Sequence, residues 1–242
     1  MKVAVIGGTG LIGSRVVRNL RAAGQEAVPH SHSTGVDVIS GQGLDAAVAG
    51  ADVVVNTTNS PTFDADSPAF FQTSMDNLLA AAREGGVGHI VILSIVGVDR
   101  VPELDYYRAK VLQEDILAAG PVPYSIVRAT QFMEFMDDVL SWTTDGDTVR
   151  LPATPIQPIA AGDVADAVAE VAMGAPLNGI RNIAGPEVFT LDELGRTTLS
   201  RKGDRRVVVT DPTAGMFAVV RGDVLTDPHA RLAPTRYEDW LS

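Results

Sequence analysis

The chain has no cysteine among its 242 residues. Disulfides and thiolate chemistry are therefore excluded, and a reducing compartment fits. Basic residues are few and scattered: 19 Lys and Arg stand against 30 Asp and Glu, a net charge of −11. Such a chain is a poor partner for nucleic acid or an anionic membrane surface. No apolar run approaches the roughly 18 residues a membrane span needs. The first residues already read as a core strand, leaving no room for a signal peptide, so a soluble, cytoplasmic protein is expected. Gly-x-Ser-x-Gly and His-based metal motifs are missing, which removes the common hydrolase readings. There are no internal repeats and no low-complexity linker.

What remains is 45% hydrophobic, enough for a well-buried core in one large domain or a domain with an appendage. Lys2-Val3-Ala4-Val5-Ile6 is a short β-branched run of the kind buried on both faces of a sheet. Gly7-Gly8-Thr9-Gly10-Leu11-Ile12-Gly13 follows, and Ser14 to Leu20 continues at helical spacing. Strand, glycine turn and helix N-terminus in that order are what a dinucleotide pyrophosphate needs: a tight bend, close backbone approach and free N–H groups aimed at negative charge.

A second strand is expected at Gln25–Val28, running into Pro29-His30-Ser31-His32-Ser33-Thr34-Gly35. No carboxylate lies between Glu26 and Asp37. The hydroxyls of Ser31 and Ser33 and the ring of His32 suit a 2′-phosphate, so NADP is favoured, with NAD as the alternative. His30-x-His32 lacks a nearby third ligand and is a poor metal site; no metal is expected. Val36–Val38 reads as a short third strand, Leu44–Ala49 as a short helix and Asp52–Asn56 as a fourth strand. Thr57-Thr58-Asn59-Ser60-Pro61 is then either an ordinary turn or a cofactor contact at the carboxyl end of that strand.

A long helix is expected over Asp64–Gly85, with Phe70 and Phe71 as core, then a fifth strand His89–Leu93 ending at Ser94. A helix over Glu103–Ala119 and a sixth strand Pro123–Arg128 complete the alternation. That rhythm means a doubly wound parallel α/β sheet of the Rossmann type over residues 1–130. Residues 131–242 read as a smaller substrate-binding lobe lying over the sheet's carboxyl edge. Gln131–Trp142 reads as a Met- and Phe-rich helix for core packing or an apolar pocket. Asp163 is a candidate N-cap, Thr190-x-x-Glu193 a capping box and Val207–Val209 a strand.

Tyr106 and Lys110 are four apart on the expected helix and share a face. An ammonium beside a phenol lowers the phenol's pKa and makes it a usable acid or base. Ser94, ending the preceding strand, could hydrogen-bond a substrate carbonyl. Tyr107, at three-residue spacing from Lys110, is the competing and less favoured tyrosine.

Gly7-x-x-Gly10-x-x-Gly13, Ser94 and Tyr106-x-x-x-Lys110 resemble the short-chain dehydrogenase/reductase superfamily. The finer pattern is similar to its atypical, NmrA-like branch of NAD(P)-binding proteins: Asn77-Leu78-Leu79-Ala80-Ala81-Ala82, Gly86-Val87-Gly88-His89-Ile90-Val91, Val127-Arg128-Ala129-Thr130-Gln131-Phe132, Asp163-Val164-Ala165 and Gly185-Pro186-Glu187. The resemblance implies a Rossmann domain, NADP(H) or NAD(H), and reduction of carbonyl or quinone-like compounds. It gives Ser94, Tyr106 and Lys110 the catalytic roles. Gly7, Thr9, Gly10, Leu11 and Ile12 take the pyrophosphate, and Ser31, His32 and Ser33 the 2′-phosphate. Thr57, Thr58, Leu93 and Lys110 complete the cofactor contacts. Two departures stand out: relatives often have Arg where His32 stands, and the superfamily's helix asparagine has no counterpart near Phe71.

The reading that results is an NADP(H)-dependent oxidoreductase acting on a small, mostly apolar carbonyl or quinone-like molecule, as a monomer or homodimer. Its rival is a non-catalytic, redox-sensing NAD(P)-binding regulator. An epimerase would need a basic cluster for a diphosphate sugar, which the sequence lacks.

Overall fold

The computed structural model describes all residues 1–242. In chain order the elements are β1 (Lys2–Ile6), α1 (Leu11–Ala22), β2 (Glu26–His30), α2 (Leu44–Val48), β3 (Val53–Asn56), α3 (Ser67–Glu84), β4 (His89–Ile95), α4 (Asp105–Ala119), β5 (Tyr124–Ala129), α5 (Met136–Trp142), β6 (Thr144–Asp145), β7 (Thr148–Leu151), β8 (Pro155–Ile156), α6 (Ala161–Met173), β9 (Gly179–Ala184), β10 (Phe189–Thr190), α7 (Leu191–Lys202), β11 (Val207–Thr210), β12 (Arg231–Leu232) and α8 (Tyr237–Trp240). A seven-stranded sheet runs in the order β12-β9-β5-β4-β3-β1-β2, the Rossmann-like α/β pattern. No helix is long and apolar enough to cross a membrane.

The chain divides into two compact units, Met1–Arg128 with Val164–Arg181, and Ala129–Asp163 with Asn182–Ser242. In the first, β1 pairs in parallel with both β2 and β3, and β3 with β4. Ile6 is level with His30 on one side and Asn56 on the other, and Asn56 with Ile92. This register brings the loops after β1, β2 and β3, and the end of β4, to one carboxyl edge. The strands are apolar on both faces because both faces are buried: on one, Ala4, Ile6, Val54, Ile90 and Ile92 pack with Met75, Leu78 and Leu117, and on the other Val3, Val5, Val55 and Val91 are buried as well. Burying each of the larger side chains, Val, Ile, Leu and Met, stabilises the unit by about 1.5–3 kcal/mol.

In the second unit β7 lies between β6, antiparallel to it, and β11, parallel to it. β8 and β10 form an antiparallel pair. The capping box at Thr190 and Glu193 starts α7, and Thr198 on that helix meets the buried hydroxyl of Tyr237 at 2.6 Å.

Three expectations change. Val36–Val38 is not a strand: Oδ1 of Asp37 accepts the Ile39 N–H at 2.8 Å and Oδ2 accepts the Ser40 hydroxyl at 3.0 Å, closing a turn. Asp163 does not cap a helix, because α6 begins at Ala161 and the carboxylate of Asp163 instead accepts from the Thr235 N–H and hydroxyl. Gln131–Trp142 is a short 3-10 turn followed by the seven-residue α5 rather than one helix.

Candidate active site

The glycine bend is built by exclusion of side chains. Gly7 sits at φ +79°, and a Cβ there would lie 2.9 Å from the Thr57 carbonyl carbon. Its N–H and that of Gly8 both donate to the His30 carbonyl, at 2.8 and 3.1 Å, and Gly10 N–H closes the turn on the Gly7 carbonyl at 3.0 Å. A Cβ on Gly13 would come within 2.2 Å of that same carbonyl oxygen, so only glycine lets the helix start this close to the bend. No side chain caps α1 and no acid occupies its first turn. Its leading amides are left with neither an intrahelical acceptor nor a competing negative charge. Leu11 is 47% exposed at this point, while Ile12 is buried. These features fit a dinucleotide pyrophosphate.

Beyond β2, the Ser31 and Ser33 hydroxyls lie 2.8 Å apart, and the Ser31 N–H donates to Thr34 Oγ1 at 2.8 Å. Asp37, the first carboxylate after β2, is spent on its own turn. Burial, with Lys2 nearby, lowers the His30 pKa. No group of three or more His, Asp or Glu gathers as a metal would require.

At the end of β3, the Asn56 carboxamide fixes the next loop by accepting from the Thr58 N–H at 3.0 Å and from its hydroxyl at 2.8 Å. Thr57 ties back to the Ile6 carbonyl through N–H and hydroxyl, at 2.9 and 3.1 Å. Asn59 then receives a hydrogen bond from the Tyr106 hydroxyl. Tyr106 is 9% exposed; Phe63 stands edge-on to it at 4.8 Å between ring centroids, and Phe71 is at 6.2 Å.

Lys110 is buried. Its Nζ donates to the Leu93 carbonyl at 2.7 Å and to Gln113 Oε1, and stands 4.9 Å from the Phe71 ring centroid. Burial draws its pKa down to about 7, with Glu114 opposing. Ser94, one residue beyond Leu93, lies within β4 rather than at its end, and its buried Oγ has no hydrogen-bond partner in the protein. Glu114 pairs with Arg128 through both carboxylate oxygens, at 3.0 and 2.6 Å, locking α4 against β5.

The structure thus sets Gly7 against Thr57 with no room for a side chain, and joins Lys110 to Leu93 and Ser31 to Ser33 by hydrogen bonds. It does not join Tyr106 to Ser94 or to Lys110 by a hydrogen bond. The expected lowering of the phenol pKa is reversed. Burial raises Tyr106 above the ordinary phenol value, Asn59 opposes that rise, and Tyr107 adds to it. Gln113 and Phe63 are parts of this site that the sequence reading does not include, and Asn59 enters that reading only within the Thr57–Pro61 loop, as turn or cofactor contact, not as a partner of Tyr106. Phe71 is fully buried core, yet it faces both Tyr106 and Lys110.

A Rossmann-like sheet with a glycine bend at its carboxyl edge defines a dinucleotide-binding class of protein. Residues 7–173 match the NAD(P)H-binding family, and the chain belongs to it. No curated protein sequence matches the chain. Among solved structures, UDP-glucose 4-epimerase of Thermus thermophilus in complex with NAD is 19% identical with a TM-score of 0.71, covering 87% of this chain and 86% of that one. Triphenylmethane reductase of Citrobacter sp. is 18% identical with a TM-score of 0.70, covering 87% of this chain and 79% of that one. A short-chain dehydrogenase/reductase superfamily protein of Agrobacterium tumefaciens with bound NAD is 17% identical with a TM-score of 0.70, covering 87% and 85%. At these identities the likeness is one of fold.

Proposed function

We propose that the protein is an NADP(H)-dependent oxidoreductase that reduces a small, mostly apolar carbonyl or quinone-like compound. One observation carries the reading: a buried tyrosine, a buried lysine and a buried serine without a protein partner belong to the unit that holds the glycine bend. The amides of Thr9, Leu11 and Ile12 take the pyrophosphate, with Gly7 and Gly10 shaping the bend. Ser31, His32 and Ser33 take the 2′-phosphate. Thr57, Thr58 and Leu93 line the path between them, and Lys110 reaches the ribose. When bound, the reduced dinucleotide supplies a hydride.

The protein's own part is to orient the acceptor and give it a proton. Ser94 Oγ offers a free hydrogen bond to the substrate oxygen, and Tyr106 donates its hydroxyl proton there. Burial holds the phenol above its ordinary pKa, so it is protonated at neutral pH and available as the acid, while its proton release has to be eased by its surroundings. Residues 131–242 are assigned the substrate-binding role. There is no Lys or Arg from Gln131 to Trp142, and Met133, Met136, Val139 and Leu140 are buried. That composition favours an apolar substrate over a highly anionic one such as a sugar diphosphate.

The test is titration with NADPH and NADH, then a quinone and aldehyde panel followed by cofactor absorbance. Saturable NADPH binding with turnover of at least one panel member is expected. Binding that discriminates NADP⁺ from NADPH without any turnover would instead make the chain a redox-sensing regulator.

A further inference from the structure

The immediate polar partner of Tyr106 is not the one that its spacing from Lys110 suggests. Its hydroxyl goes to Asn59 Oδ1, and Phe63 and Phe71 enclose the ring. Lys110 sends its Nζ to Leu93 and Gln113 instead. Asn59, Phe63 and Phe71 carry no ionisable group. On α4 itself the ionisable residues flanking it are Asp105, Tyr107, Arg108 and Lys110; Asp105 pairs with Arg108, and Tyr107 is the one whose charge acts on Tyr106. A phenolate left here by proton donation has no ammonium bonded to it, and a buried anion without a donor is costly.

We propose that Asn59 is a positioning residue that serves Tyr106 in both protonation states and takes over the phenolate-supporting role of the lysine. A primary amide suits this because it carries an acceptor and two donors on one rotatable group. As the structure stands, its carbonyl accepts from the neutral phenol. When the Tyr106 O–H bond breaks, the proton forms a new O–H bond on the substrate oxygen and the electron pair stays on the phenolate. A half-turn of the Asn59 side chain then presents Nδ2–H to that oxygen. Donation to an anion is the stronger of the two bonds, so the pair eases proton release against the effect of burial. The place of Asn59 is set from β3, because the Asn56 carboxamide holds Thr58, one residue before it.

This rests on Tyr106 being the proton donor, but the test needs no turnover. Tyr106 is replaced by 3,5-difluorotyrosine, whose more acidic phenol brings the titration into an accessible range. Its ionisation is followed by ¹⁹F NMR in the protein without cofactor, with Asn59 intact and in the Asn59→Leu and Asn59→Asp variants. The midpoint should rise by about one to two pH units in Asn59→Leu, the worth of one hydrogen bond to a charged group. It should rise further in the nearly isosteric Asn59→Asp, whose carboxylate cannot donate. Midpoints unchanged in both variants would overturn the proposal. If the midpoints rise while the unmodified protein reduces no panel compound, the Asn59 pairing stands and the reductase reading falls.

Discussion

The glycine bend after β1 and the Tyr106–Lys110 face of α4 are opposites in how they are made. The bend is defined by what is missing: a side chain on Gly7 or Gly13 would collide with backbone that cannot move aside. The helix face is defined by what surrounds it: Tyr106 and Lys110 owe their charge states to burial and to partners supplied by the β3 loop, β4 and α3. Steric exclusion at Gly13 is written locally, against Gly7 and Gly8, and at Gly7 the left-handed φ asks for glycine while the Thr57 backbone closes the remaining space. Electrostatic tuning is written across the fold, and a spacing of four residues says nothing of it.

The contrast predicts that each region can be broken without the other. Tyr106→Phe should lower turnover by about 10²–10⁴-fold, the usual worth of a positioned acid, while the NADPH dissociation constant stays within about twofold. Steady-state rates and a fluorescence titration check both halves, and unchanged turnover would remove Tyr106 from the reaction. Gly13→Ala should do the reverse. Its methyl, 2.2 Å from the Gly7 oxygen, should cost about 1–3 kcal/mol in urea unfolding and weaken NADPH binding by at least about tenfold.

Lys110 sharpens the electrostatic side. Its pKa falls to about 7 from its ordinary 10.5 when it is buried. Between those values the unfolded chain holds a proton that the folded chain has released, so stability rises with pH from about 7 to 10.5 and is flat below. Urea melts at stepped pH should show this rise, and Lys110→Met should flatten it. An equal rise in the variant would contradict the assignment. The smallest effect is expected at the edge of the bend: Ser31→Ala with Ser33→Ala should reduce the preference for NADPH over NADH by a few fold while leaving NADH affinity unchanged.

The same division explains what was legible in the sequence. β1, β3, β4 and β5 are apolar runs whose both-face burial needs no knowledge of neighbours, and the bend follows from glycine spacing. Val36–Val38 misleads because two valines around Asp37 imitate a strand, whereas the carboxylate folds back on Ile39 and Ser40. Asn59 was legible only as part of a polar loop. Its bond to Tyr106 spans 47 positions in the chain, and no periodicity carries that. Gln113 shares the face of Lys110 at three-residue spacing, a signal that was present but unused. The short strands β6, β8, β10 and β12 are two residues each, too brief for an alternating pattern to register.

The central claim is that the bend between β1 and α1 receives the dinucleotide's pyrophosphate. Backbone amide NMR of the ¹⁵N-labelled protein during NADPH addition tests it most directly. The account predicts that the largest shifts fall on the Thr9, Leu11, Ile12 and Gly13 amides and saturate together with binding. Saturable binding that leaves those four amides unmoved would contradict it.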